Sequence, residues 1–361
     1  MPANADQIAR LRLIRSEQIG PVTFAQLLAR FGSAQAALDA VPELAARGGG
    51  ATPRLATREQ VEREVERVDR LGAYYLFLGE PNYPPLLAET ESAPPVLVAM
   101  GAPSLAARQT VAMVGARNAS AAACRFARQL AWQLGEAKAV VASGLARGVD
   151  TAAHEGSIET GTIAVVAGGI DIFYPPENEG RQRAIAERGL LLAEQPPGLE
   201  PRARHFPYRN RIIAGIAAGT VVVEAAPKSG SLITARQAAE FGREVMAVPG
   251  SPLDPRAQGC NLLIREGATL IQSAEDVLEA LRPLRLGVRQ ERSPYRPAPA
   301  GCDPDDFARR SVADLLGPTP VAVDEIVRQS GLTASVVQSV LLELELAGRL
   351  ERHAGGRVSA P

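Results

Sequence analysis

Residues 139–169 read AVVASGLARGVDTAAHEGSIETGTIAVVAGG. An apolar run ends at Ser143-Gly144, and helical spacing begins at Val149 after a glycine-rich turn. A second apolar run, 162–167, ends again in glycine at Gly168-Gly169. Neither run alternates polar with apolar residues, so each is expected to be buried on both faces, as parallel strands covered by helices are. The same rhythm continues outward. Runs at 110–114, 190–194, 220–225 and 244–248 read as further strands, with helices expected at 121–135, 149–159, 209–218 and 231–241. Strand–helix repetition with short connections predicts the α/β class and an open, doubly wound parallel sheet over 79–285.

The flanks differ. Residues 1–78 read as helical: Phe24, Leu27, Leu28 and Phe31 recur at helical spacing after Ile19-Gly20-Pro21, and Ser33 is placed to cap the next helix. Two short helices around a glycine-containing turn resemble a SAM or helix-hairpin-helix module. Residues 286–305 gather proline without periodicity and read as a linker. Residues 306–361 fit a winged helix: Val336, Val337, Val340, Leu341 and Leu344 line one face of a helix begun at Thr333, and Gly355-Gly356 turns a hairpin. Ser335, Gln338, Ser339, Glu343 and Glu345 are then expected outward. With no Lys or Arg among them, that helix suits a protein contact better than a DNA groove.

Composition narrows the classes. The 361 residues are 46% hydrophobic and carry a formal charge of −1, so any pull on a polyanion must come from a local patch. Cys124, Cys260 and Cys302 are scattered, which argues against a disulfide framework or a zinc site; no metal and no cofactor are expected. The N-terminal residues lack the pattern of a signal peptide, no run is long enough to span a membrane, and a cytoplasmic location is expected.

In an open α/β sheet, ligands bind beyond the carboxyl ends of the strands. Four turns expected there are rich in glycine and donors: Gly115-Ala116-Arg117-Asn118, Ser143-Gly144 through Arg147 to Asp150, Gly168-Gly169-Ile170-Asp171, and Pro227-Lys228-Ser229-Gly230-Ser231. The last opens a helix whose N-terminal amides attract anions, with Ser229 or Ser231 as its cap. Lys228 is one of only two lysines. PRARHFPYRNRIIAG, 201–215, sets Arg202, Arg204, Arg209 and Arg211 among Phe206 and Tyr208, with Asn210 between the last two arginines. Cations beside rings suit a single nucleic-acid strand, whose phosphates are neutralised while its bases stack. Enzyme signatures are missing: GARNAS is not GxGxxG, PKSGS lacks the Walker order, and Asp150 with His154 and Ser143 makes a poor hydrolytic set. Glu224 and Asp171 are expected to pin neighbouring arginines.

The order AMVGARNAS, SGLARGVDTAAHEG, GTIAVVAGGIDIFYPPEN, FPYRNRIIAG, VVVEAAPKSGSLITA and VPGSP…GCNLLIREGA closely resembles the DprA/Smf family, DNA-processing proteins of natural transformation. The resemblance implies an extended Rossmann-like domain that binds single-stranded DNA, forms a homodimer, protects incoming strands and loads the RecA recombinase onto them, displacing single-strand-binding protein. It implies binding rather than catalysis. By position, the family's phosphate element falls on Gly115-Ala116-Arg117, where alanine removes a hydroxyl. The expected binding set is completed by Ser143, Gly144, Arg147, Phe206, Arg209, Asn210, Arg211, Lys228, Ser229, Gly230 and Ser231. The rival reading is a nucleotide-binding hydrolase of the lysine-decarboxylase-like phosphoribohydrolase type, whose PGGxGTxxE signature Pro249-Gly250-Ser251-Pro252 does not reproduce.

Overall fold

The apolar runs expected as strands all join one sheet. The structure, a computed structural model, describes residues 3–282, 303–353 and 355–361. These divide into two compact units, one of 66–282 and one that joins 3–65 to 303–361. Most of the stretch expected as a linker, with Cys302, lies outside the described residues.

The N-terminal helices are α1 (Ala5–Ile14), α2 (Pro21–Phe31), α3 (Ala34–Arg47) and α4 (Arg58–Arg70). Asn4 and Gln7 form a reciprocal capping box on α1. Pro21 opens α2, and Gly32 closes it with φ 77°, a conformation glycine adopts without strain. The Ser33 hydroxyl accepts the Ala36 amide and starts α3, as expected.

The central unit contains β1 (Tyr74–Phe77), α5 (Pro85–Ala88), β2 (Val96–Gly101), β3 (Thr110–Val114), α6 (Ala121–Glu136), β4 (Val140–Ser143), α7 (Val149–Ser157) and β5 (Thr162–Val166). It continues through α8 (Glu179–Arg188), β6 (Leu190–Ala193), α9 (His205–Ile216), β7 (Gly219–Val222), α10 (Ser231–Glu240), β8 (Glu244–Ala247), α11 (Gln258–Arg265), β9 (Thr269–Leu270) and α12 (Ala274–Ala280). Among the described residues the strand order is β1-β2-β6-β5-β4-β3-β7-β8-β9. Pairing is parallel from β6 to β9 across the sheet, whereas β1 on β2 and β2 on β6 are antiparallel. Tyr74–Phe77 therefore corrects the reading of 1–78 as wholly helical: its four residues pair with Val96–Ala99 instead.

Alternate residues of each strand serve opposite faces. Val111, Met113, Val141 and Val221 meet Ala127, Leu130, Leu134, Val149 and Val277 of α6, α7 and α12. Ala112, Val114, Ala142 and Val165 meet Leu87, Ile212, Ile216, Leu232 and Leu263 of α5, α9, α10 and α11. The sheet is thus covered on both faces, as uninterrupted apolar strands require. The chain steps from β3 out to β6, then restarts on the other side of β3 at β7. The carboxyl-end loops of β3 and β7 flank this reversal, where open sheets bind ligands.

The C-terminal segment forms α13 (Asp306–Ala313), β10 (Val321–Ala322), α14 (Val323–Ser330), α15 (Ala334–Leu346), β11 (Glu351–His353) and β12 (Arg357–Ser359), with strand order β10-β12-β11. Val337, Val340, Leu341 and Leu344 pack on Val312, Ile326 and Val358. Leu342 and Leu346 point elsewhere, into the core made by Leu13, Phe24, Leu27, Leu38 and Val41 of α1–α3. Glu343, expected outward, is only 1% exposed and pairs with Arg309 at 2.8 Å.

His154 is buried between α7 and β5, its Nδ1 2.7 Å from the Thr162 hydroxyl. Burial, aided by the Arg209 charge, pushes its pKa down to about 3. The unfolded chain therefore takes up a proton below the ordinary histidine value of roughly 6.5 that the fold refuses, so stability is lost as pH falls from there toward 3. Denaturant titrations between pH 7 and 4 should show this fall, and His154→Gln should flatten it relative to the wild type.

Candidate nucleic-acid interface

The loops beyond β3, β4 and β5 and the start of α9 enclose a cleft of ≈ 130 Å³. Arg117, Gly144, Arg147, Phe206 and Arg209 line it, together with Ala146, Gly168, Tyr174 and Pro201. No carboxylate is among its lining residues. Phe206 is the hub: the guanidinium carbon of Arg117 lies 5.0 Å from its ring centroid, that of Arg209 6.0 Å, and the Tyr174 ring 5.6 Å. Cations held over an aromatic face gain attraction while keeping their donors for another partner.

Arg209 is the cleft's floor. It is 6% exposed, its Nη1 donates to the Val165 carbonyl at 3.4 Å, and its Nε has no hydrogen-bond partner. Burial pushes its pKa down to about 10, and only the neighbouring Asp150 charge works against that. The guanidinium meets Gly144 through its Nη1, where any β-carbon would take its place. Asp150 accepts the Gly144 and Ala146 amides at 3.2 and 3.3 Å, which folds the β4–α7 turn around the cation. Burial raises the Asp150 pKa, opposed by Arg209.

Several residues expected at the site do other work. Ser143 is fully buried and gives its hydroxyl to the Met113 carbonyl at 2.6 Å, tying β4 to β3. Arg211 lies two positions from Arg209 on α9, which turns it away from the cleft; it is buried, ion-paired to Glu194 and bonded to the Ser92 carbonyl. Gly115 packs beneath Val149, and the Ala116 amide donates to the Glu224 carbonyl at 2.7 Å, so that amide is not open to a phosphate. Glu224 holds the Ser120 amide and hydroxyl at 3.0 and 2.7 Å rather than an arginine. Asp171 does pin Arg67, at 2.6 Å, and accepts the Gly198 amide. His154 faces Thr162 rather than Asp150.

The Lys228 loop stands apart from the cleft lining. Gly230 rather than a serine caps α10, and no side chain caps it. The Leu232 and Ile233 amides bond inward to the Ser229 and Gly230 carbonyls, and the Ser231 amide contacts the Ser229 hydroxyl at 3.4 Å. The helix start is therefore less open to an anion than its sequence implied. Lys228 itself is exposed, and Asn210 donates to the Gly230 carbonyl at 3.4 Å, tying this loop to α9. Tyr174 joins the site without having been expected there; its only signal in the sequence is a place after a glycine-rich strand end in a chain with few aromatics.

The model of the DNA recombination-mediator protein A family matches residues 74–282, more than half of the chain. The chain belongs to that family. A DprA-like N-terminal HHH domain matches 4–66 and a DprA winged helix domain 296–356. Protein Smf of Synechocystis is 31% identical over 398 residues, spanning 98% of this chain and 99% of the relative. The X-ray structure of DprA from Streptococcus pneumoniae superposes with a TM-score of 0.62 at 32% identity, covering 77% of this chain and 98% of that one. DNA processing protein A from Helicobacter pylori, described for its single-stranded DNA binding mode, gives 0.52 at 27% identity over 57% of this chain and 95% of its own.

Removing one member of a buried ion pair leaves its partner unpaired, at a cost of about 3 kcal/mol. Arg211→Ala should therefore lower thermal stability markedly. Arg117→Ala, which frees only a ring contact at an exposed position, should leave the melting temperature nearly unchanged. Thermal melts of the two variants beside the wild type decide this.

Proposed function

We propose that this chain binds single-stranded DNA through the cleft over β3–β5, in the service of DNA processing during transformation. One observation carries the reading: three arginines and a ring pair line one cleft, two of the arginines stacked on Phe206, and no carboxylate lines it. Arg209 supplies a buried charge, while Arg117 and Arg147 supply exposed ones. Arg147 is paired with Glu177 at the surface, and a surface pair of this kind is exchanged for a phosphate at little cost. Phe206 and Tyr174 offer faces for bases, which every base satisfies regardless of sequence. β7 neighbours β3, so exposed Lys228 extends the cationic track from Arg117 across the sheet's reversal. The single-stranded DNA described for the Helicobacter pylori relative supports the same ligand.

The role is binding rather than catalysis. Ser143 and His154, the groups a hydrolytic set would need, are engaged with Met113 and Thr162. Within the same proposal the protein acts as a homodimer, protects incoming strands, displaces single-strand-binding protein and passes the strand to RecA. The family's description as a recombination mediator supports that last step. Among the described residues no helix is long and apolar enough to cross a membrane.

If three to five phosphates are neutralised, affinity for an unstructured oligonucleotide should fall with salt at a log–log slope of about −2 to −3.5. Arg117→Ala and Lys228→Ala should each weaken binding and make the slope shallower. A gel shift of single- and double-stranded oligonucleotides across salt measures both; a salt-independent affinity, or release of base from nucleoside monophosphates, would overturn the reading.

A further inference from the structure

In a winged helix that reads DNA, one long helix enters the major groove and so keeps a solvent face. Here that helix is α15, and of its thirteen residues only Ala334 is exposed. One side fills the winged helix's own core through Val337, Val340, Leu341 and Leu344. The opposite side is taken by the chain's own N-terminal helices. Leu342 and Leu346 sit in their core, Gln338 accepts from Gln26 at 2.9 Å, and the α3 C-terminus at Gly48 abuts the Glu343 carbonyl. At the rim, Asp303 bridges Arg30 at 2.6 Å and Arg47 at 3.0 Å, and Arg349 reaches the Gly48 carbonyl at 3.2 Å. Arg352, a cation of the hairpin, is occupied by Glu345.

We propose that the winged helix has given up duplex reading: its groove-facing helix is the seat on which the chain's first three helices dock, and the two chain ends act as one module. The chemistry of the seat favours this over a masked DNA reader. Its free side would present Leu342, Leu346, Gln338 and Glu345, which are apolar, neutral or anionic, toward a phosphate backbone that demands cations; of the two arginines at its edge, Arg352 is neutralised by Glu345 and Arg349 stands alone beyond the helix. The occupant is complementary in both respects, supplying leucines to the leucines and Arg30 and Arg47 to Asp303.

The test uses the full chain and hydrogen–deuterium exchange read by mass spectrometry. Leu342→Asp opens the seat from within, and Asp303→Arg places like charges at its exposed rim without touching either core. Each should accelerate exchange across 21–47 by about tenfold or more, though the substitution lies in the C-terminal segment, because the protection of those helices comes from the docking. Neither should gain affinity for a blunt duplex over the wild type in a gel shift. If exchange in 21–47 stays unchanged in both variants, the ends do not hold each other and the proposal fails. If an opened variant binds duplex at least tenfold more tightly, the helix is a masked reader and the proposal fails equally.

Discussion

Taking a guanidinium out of water costs several kcal/mol unless hydrogen bonds and opposite charge replace its hydration. Arg209 is held in that condition beneath the cleft, with one long bond to Val165, no partner at Nε and a single neighbouring carboxylate. Asp150 offsets part of the cost, but its oxygens already receive two backbone amides of the turn that wraps the cation. The fold therefore stabilises a positive centre without fully compensating it. A phosphate at the cleft mouth would supply the missing charge in a partly desolvated setting, where it counts for more than at the surface.

Much of the surrounding backbone serves to keep that centre in place. Gly144 leaves room for the guanidinium, and Gly148 adopts φ 73° beside the Ala116 and Arg117 carbonyls, where a β-carbon would collide with backbone. The loop beyond β5, which carries Tyr174, is fixed by Asp171, whose carboxylate holds Arg67 of α4 and the Gly198 amide. The contacts that set the cleft geometry thus lie behind it, while Arg117 and Arg147 remain exposed at the rim.

The central strands were legible because their apolar runs have no polar alternation, and a sequence of that kind has few places to go except the middle of a covered sheet. The β1 strand was not, since Tyr74–Phe77 follows directly on a charged helix and is only four residues long. Arg209 and Arg211 were indistinguishable by composition. What separates them is helical phase: Phe206 and Arg209 are three apart and share a face, whereas Arg211 is two further on and meets Glu194. Ser143 looked like a donor at a strand end, but its hydroxyl was already spent on the neighbouring strand. Glu343 was expected outward from its helical phase, but Arg309 of α13 takes its carboxylate and Gly48 of α3 covers its backbone, and nothing local in the sequence announces either partner.

That cover has a physical reason. Segments of about 60 residues bury a smaller fraction of their surface than larger domains do and are marginal as independent domains. Residues 3–65 and 303–361 are each of that size, and each ends up with leucines that its own helices cannot enclose. Setting Leu342 and Leu346 against Leu27, Leu38 and Val41 converts two marginal cores into one larger one. The exchange uses the one helix face on which a duplex-reading winged helix depends, so stability of the terminal module and groove recognition compete for the same residues. In this chain the leucines decide that competition. The cationic cleft of the central sheet, the site proposed for single-stranded DNA, makes no call on those residues.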